Sequence, residues 1–246
     1  MPDLSDPLIL TNTICEYVTF GVILWVSIKF YQKYKERGAQ VALLLFKTTL
    51  LLSFAPVLQS LDNIFLDDLS QRVFGHITSF GFSSALLCAA VSNYFAYRFL
   101  QETFQTNPKR YLPVLVGLVN IILDAVVFIL RGVGDTHIFI YLMAGHVLIV
   151  FYISGTIFRE SFANAHKLNE LENVRGYQFI GLMGLFAILT YVFFISAEFV
   201  PTQAPTIRYV LVSIAWIMAA IGGICAYVGF CRPAWFARHY AKKESP

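Results

Sequence analysis

Residues 208–243 read RYVLVSIAWIMAAIGGICAYVGFCRPAWFARHYAKK. No charged side chain stands between Arg208 and Arg232, and then a proline, a Trp-Phe pair and a burst of cations follow. An uncharged run of about 20 residues is long enough, as an α-helix, to cross a hydrocarbon core about 30 Å thick. It is continuously apolar and lacks the period-two alternation of a barrel strand, so it reads as a helix.

Outward from this stretch the pattern recurs. Apolar runs lie at residues 14–36, 40–61, 73–100, 111–130, 138–158 and 177–198, with 208–230 the last. The 246-residue chain is 57% hydrophobic and 13% charged. Soluble domains carry about twice that charged fraction. Residues 1–16 hold Asp3, Asp6 and Glu16 but no Lys or Arg, the reverse of the cationic start of a cleavable signal peptide. The four cysteines, Cys15, Cys88, Cys225 and Cys231, form no CxxC pair and no disulfide framework. A net charge of +3 is too small to imply nucleic acid as a partner.

The position of the cations orients the chain. Fifteen Lys and Arg flank one face of the runs, and three (Arg72, Arg131 and Arg208) flank the other. By the positive-inside rule the N-terminus is outside and the C-terminus cytoplasmic. The expected fold is therefore an all-α integral membrane protein, a seven-transmembrane-helix bundle over residues 1–231. A cytoplasmic amphipathic tail over residues 232–246 would add a short interfacial C-terminal helix. The expected location is the cell (plasma) membrane, multi-pass, with the lipid bilayer as the constant partner. Gly81, Ala85 and Ala89 in the third run, and Ala215, Ala219 and Gly223 in the seventh, recur every four residues and allow close helix packing.

Polar groups within the runs are the candidates for function. Asn120 and Asp124 share a face of the fourth run, and Arg131 lies two turns outward. His146 in the fifth run sits at a similar depth. His76, Tyr191, Ser213 and Trp216 would complete an outer-half ligand pocket with aromatic walls. The alternative is a structural polar cluster joining the fourth and fifth runs. No two histidines are spaced three to five apart for a metal, and there is no GxSxG elbow, phosphate loop or GxGxxG, so neither a metal site nor an enzyme is expected.

In its topology the chain resembles microbial rhodopsins, yet residues 208–230 contain no lysine to hold retinal, and no cofactor is expected. Tyr97, Arg98 and Phe99 sit where G-protein-coupled receptors carry their span-three arginine motif, without its preceding acid or a later NPxxY. Ceramidase-type and adiponectin-receptor-type hydrolases carry an HxxxH pair in the last span, which is missing here. Seven-span sugar carriers are built from two three-helix repeats, and no repeat is visible. Through Pro233, Trp235, Phe236 and Arg238, the exit from the last run resembles that of seven-helix sensor modules of prokaryotic, especially archaeal, signalling proteins. That likeness covers the chain as topology and about ten residues as pattern. It implies a sensor whose output is supplied by another cytoplasmic signalling protein.

Residues 159–176 fit helical extensions of the fifth and sixth runs, a means of passing a helix shift to such a partner. In the tail, Trp235, Phe236, His239 and Tyr240 lie on one arc and Arg238 and Lys242 on another, arranged to contact anionic lipid or a partner. The expected function is a receptor-like sensor for a small ligand or lipid. A small-solute or proton transporter or channel, or a structural membrane subunit, is the alternative.

Overall fold

The computed structural model describes residues 7–61, 80–104, 111–131, 136–200 and 204–241. They form eight helices: α1 Pro7–Arg37, α2 Gln40–Leu61, α3 Phe80–Phe104, α4 Leu112–Arg131, α5 Thr136–Ala165, α6 Leu171–Glu198, α7 Pro205–Cys231 and α8 Ala234–Ala241. Among the described residues, α1, α2, α6 and α7 are long and apolar enough to cross a membrane, and α4 carries a shorter apolar stretch, Leu112–Val126.

Each of the first seven helices packs against its neighbours in sequence, and α7 packs back against α1, closing a ring. The outer surface is apolar where a soluble bundle would be polar, and polar side chains are enclosed among the apolar ones. On α4, Leu115, Leu118, Ile122 and Ile129 are exposed while Asn120 and Asp124 are fully buried. Elsewhere Trp25, Leu148 and Ile207 also face outward, whereas Asn12, Glu16, Ser27 and Ser92 are enclosed. An apolar exterior with polar groups enclosed within suits a multi-pass protein with lipid as its solvent, where internal groups must satisfy one another.

Small residues set the helix spacing. Ala85, Ala89 and Ser92 of α3 are buried, and Ser92 Oγ donates to the Thr48 carbonyl of α2 at 3.1 Å. On α6, a Cβ at Gly184 would stand 2.5 Å from the Ser154 carbonyl oxygen of α5, so only glycine permits that approach.

The two ends of the ring differ. Toward the end that carries α8, Phe30, Leu45, Tyr97, Phe99, Leu100, Ile153, Ile157, Ile180 and Ala226 form a continuous apolar core. At the opposite end the buried apolar cluster is smaller, centred on Ala55, Ala85 and Trp216. The helical extensions expected in residues 159–176 are present, α5 running to Ala165 and α6 starting at Leu171.

The chain turns sharply after α7. Arg232 adopts a left-handed conformation (φ 47°), unusual for a residue with a Cβ, and Pro233 follows. The Arg232 guanidinium donates to the Asn173 side-chain carbonyl and lies 3.9 Å from Glu172, both on α6. These contacts hold the corner and direct α8 back over the bundle, where it packs on α6.

Candidate functional site

Asp124, His146 and Tyr191 come from three consecutive helices and meet inside the ring. Gly145 makes the first meeting close. A Cβ there would press to 3.1 Å on Leu123, so α4 and α5 approach at the level of the pair. His146 Nδ1 lies 2.8 Å from Asp124 Oδ2, with both side chains fully buried. On the other edge of the ring, His146 Nε2 is 3.0 Å from the Tyr191 hydroxyl, which α6 supplies.

The three groups form one donor–acceptor chain. A neutral imidazole satisfies it by donating Nδ1–H to Asp124 and accepting the Tyr191 O–H at Nε2. A protonated imidazole satisfies it too, by donating Nε2–H to the tyrosine oxygen. The cluster can thus gain or lose one proton without losing a hydrogen bond. Asp124 Oδ1 and both polar atoms of Asn120, one turn earlier on α4, have no protein partner and add unspent hydrogen-bonding capacity.

Beside this cluster is a cavity of about 180 Å³. Tyr191 and Trp216 border it together with apolar side chains from α1, α2, α3, α5, α6 and α7. Its hydroxyl-bearing walls are largely self-satisfied: Thr48, Thr49 and Thr190 donate to carbonyls of their own helices at 2.9, 2.8 and 2.8 Å. Trp216 is different. Its indole N–H is buried and has no acceptor, while its ring packs edge-on against Phe194 at 5.0 Å.

The residues expected to share one pocket are divided among three settings. Asp124, His146 and Tyr191 form the hydrogen-bonded cluster, with Asn120 buried on the face of α4 that carries Asp124. Tyr191 and Trp216 border the cavity, whereas Asp124 and His146 stand behind Tyr191. Ser213 is elsewhere, donating to Asn12 Oδ1 of α1 at 3.1 Å. His76 and the Arg131 side chain lie outside the described residues.

A second buried polar group was not anticipated from the sequence. Glu16 is fully buried on α1 and accepts from Asn12 Nδ2 at 2.9 Å. Thr19 donates to the Trp216 carbonyl at 3.0 Å, joining α1 to α7 near the cavity. The available signal was the four-residue spacing of Asn12 and Glu16, which places both on one helix face. Hydropathy alone starts the first span after Asn12.

In the tail, Trp235, Arg238 and His239 are exposed, but Phe236 turns inward. Phe236 packs edge-on against Phe179 of α6 at 5.7 Å and touches Tyr240 at 4.8 Å. It therefore attaches α8 to the bundle, leaving Trp235 and Arg238 to face outward. Lys242 lies outside the described residues.

Among the described residues, no three His, Cys, Asp or Glu side chains are grouped as a metal site would need. Compared with protein-family models, with curated proteins and with solved structures, the chain matches none.

Proposed function

We propose that the chain is a receptor-like sensor of the cell membrane. In this reading α1 to α7 cross the bilayer with the N-terminus outside and α8 along the cytoplasmic leaflet, as the fifteen-to-three division of cations favours. A small ligand or lipid occupies the central cavity. The extended ends of α5 and α6, with α8, pass the change to a separate cytoplasmic signalling protein.

One observation carries this reading: Tyr191 belongs both to the cavity wall and to the Asp124–His146 cluster. An occupant that displaces the Tyr191 ring alters the hydrogen bond at His146 Nε2. That in turn breaks the donor–acceptor chain at a buried pair, a change that packed helices register as movement.

The donor–acceptor chain also favours a second reading, a proton or small-solute transporter using Asp124 and His146 as a relay. A conduit needs a polar route to both faces. Against it stands the apolar character of the end bearing α8, where Leu45, Phe99, Ile157 and Ala226 line the cavity and offer no polar route. Solute and proton flux in proteoliposomes, with and without Asp124→Asn, separates the two. The sensor reading predicts no Asp124-dependent flux, and its appearance would overturn the sensor as a sufficient account.

A further inference from the structure

Lys29, Lys33 and Arg37 recur every four residues along the last turns of α1, so they share one face. That face looks toward the end of α7. All three cations are close enough to the Cys231 thiol to act on it electrostatically, and among the described residues Glu36 is the one acid that also does. The two helices run side by side into this end. Trp25 packs edge-on against Tyr227 at 4.8 Å, and Phe30 against Phe230 at 5.9 Å.

Beyond these contacts α1 outruns its neighbour. It continues seven residues past Phe30 to Arg37, whereas α7 stops one residue past Phe230, at Cys231. The difference of six residues makes a step of about 9 Å. The Arg232 corner then carries the chain toward α6, where α8 packs, and not toward α1.

The cations differ in what they already hold. Lys29 Nζ donates to Gln32 Oε1 at 3.1 Å and stands 6.0 Å from the centre of the Trp25 ring. Lys35 belongs to the opposite side of α1, its Nζ 5.0 Å from the Tyr31 ring, which packs on Phe46 of α2. Among the described residues, Lys33 and Arg37 make neither a hydrogen bond nor an ion pair, and Glu36 is paired with neither. Lys33 is half-buried and Arg37 exposed. Two uncommitted cations one turn apart suit an anion that bridges them. One turn deeper than Lys29, Trp25 is 45% exposed and presents an apolar surface. The complementary molecule is thus anionic at one end and apolar at the other. With Glu36 offsetting one of the two cations, its single charge is that of a phosphodiester rather than a polyphosphate.

We propose that the step between α1 and α7 binds one anionic phospholipid, its phosphodiester bridging Lys33 and Arg37 and its acyl chains passing Trp25. This rests on the reading of α1 and α7 as membrane spans, and not on the cavity or the sensor role.

The test uses the full chain in phosphatidylcholine nanodiscs. Phosphatidylglycerol and phosphatidylcholine probes, each with a diazirine near the headgroup, are added at equal trace mole fraction, and crosslinked peptides are identified by mass spectrometry. Crosslinks of the anionic probe should concentrate on residues 25–37 and the end of α7. At about five-fold per cation, it should label them about twenty- to thirty-fold more than the phosphatidylcholine probe. Lys33→Gln and Arg37→Gln should each lower that preference about five-fold, and the double variant should erase it. Lys35→Gln removes the same charge from the opposite side and should leave the preference unchanged. An equal loss with Lys35→Gln would make the attraction a property of the whole surface and overturn the site. Inorganic phosphate at matched ionic strength should not displace the probe, and displacement would make the occupant a free anion and overturn the lipid. Equal labelling of residues 25–37 by both probes would overturn the proposal and leave α1 in the bilayer. Labelling of α1 and α7 by neither probe would overturn the membrane-spanning reading as well.

Discussion

The hydroxyl of Tyr191 lies 3.0 Å from His146 Nε2, while the same side chain borders the central cavity. One residue thus has two audiences: whatever fills the cavity, and a buried ionisable pair behind it. The arrangement predicts that hydroxyl and ring are separable. Tyr191→Phe keeps the ring and removes one hydrogen bond, so it should cost about 0.5–1.5 kcal/mol of stability. Thermal unfolding in nanodiscs measures this. The variant should still bind cavity occupants but no longer pass their presence to His146.

Asp124 and His146 are both fully buried and 2.8 Å apart, so their energies are coupled. Removing one partner strands the other. Asp124→Ala or His146→Ala should each destabilise by about 3–5 kcal/mol. The double replacement Asp124→Leu, His146→Leu should cost less than the sum of the corresponding singles. Additive losses in a denaturation-based double-mutant cycle would show that the pair does not act as a unit.

Two glycines of neighbouring helices make a matched comparison. Gly184 meets α5 backbone where a Cβ would stand, whereas nothing lies within 4 Å of a Cβ at Gly155. Gly184→Ala should destabilise by about 1–3 kcal/mol through overpacking. Gly155→Ala should be neutral or stabilise by up to about 1 kcal/mol, because alanine is the better helix former. Equal effects at both sites would contradict the close α5–α6 approach.

Phe236 is 1% exposed and its neighbour Trp235 is 60% exposed, so only the first holds the tail to α6. Losing a fully buried phenyl forfeits about 1.5–3 kcal/mol of local docking. Phe236→Ala should therefore speed amide exchange across α8 about ten- to a hundred-fold. Trp235→Ala should leave that exchange unchanged and weaken association with anionic vesicles instead.

Orientation is open to direct chemical test. On a cysteine-free background, Ala39→Cys and His166→Cys should resist a membrane-impermeant maleimide in intact cells, and Thr206→Cys should react. The opposite pattern would reverse the proposed topology.

The helices were the legible part of the sequence. Long apolar runs mark α2 and α7 within a few residues and the end of α6 at Glu198, because burial in lipid depends on composition more than on tertiary partners. The start of α1 was not legible. Asn12 lies before the apolar run at 14–36, and it is contact with Ser213 on α7 and with Glu16 that gives it a buried setting. The same limit applied to the site. Similar depth in adjacent spans was enough to bring Asp124 and His146 together, but rotation about each helix axis decided what faced the cavity. That rotation placed Tyr191 and Trp216 on its wall, left Asp124 behind Tyr191 and sent Ser213 toward α1. Phe236 followed the same logic: its arc on α8 was readable, but the presence of Phe179 opposite it was not.

The central claim is that the cavity communicates with the buried pair through Tyr191, and it can be tested without knowing the natural ligand. An apolar cavity of about 150 Å³ is large enough to take up xenon. The measurement is the ¹⁵N resonance of the His146 ring nitrogens in nanodiscs, assigned against His146→Asn and recorded with and without xenon pressure. The account predicts that xenon shifts the Nε2 resonance in the wild-type chain and that Tyr191→Phe abolishes the response. An unmoved Nε2 resonance, with ¹²⁹Xe exchange showing the cavity filled, would contradict it.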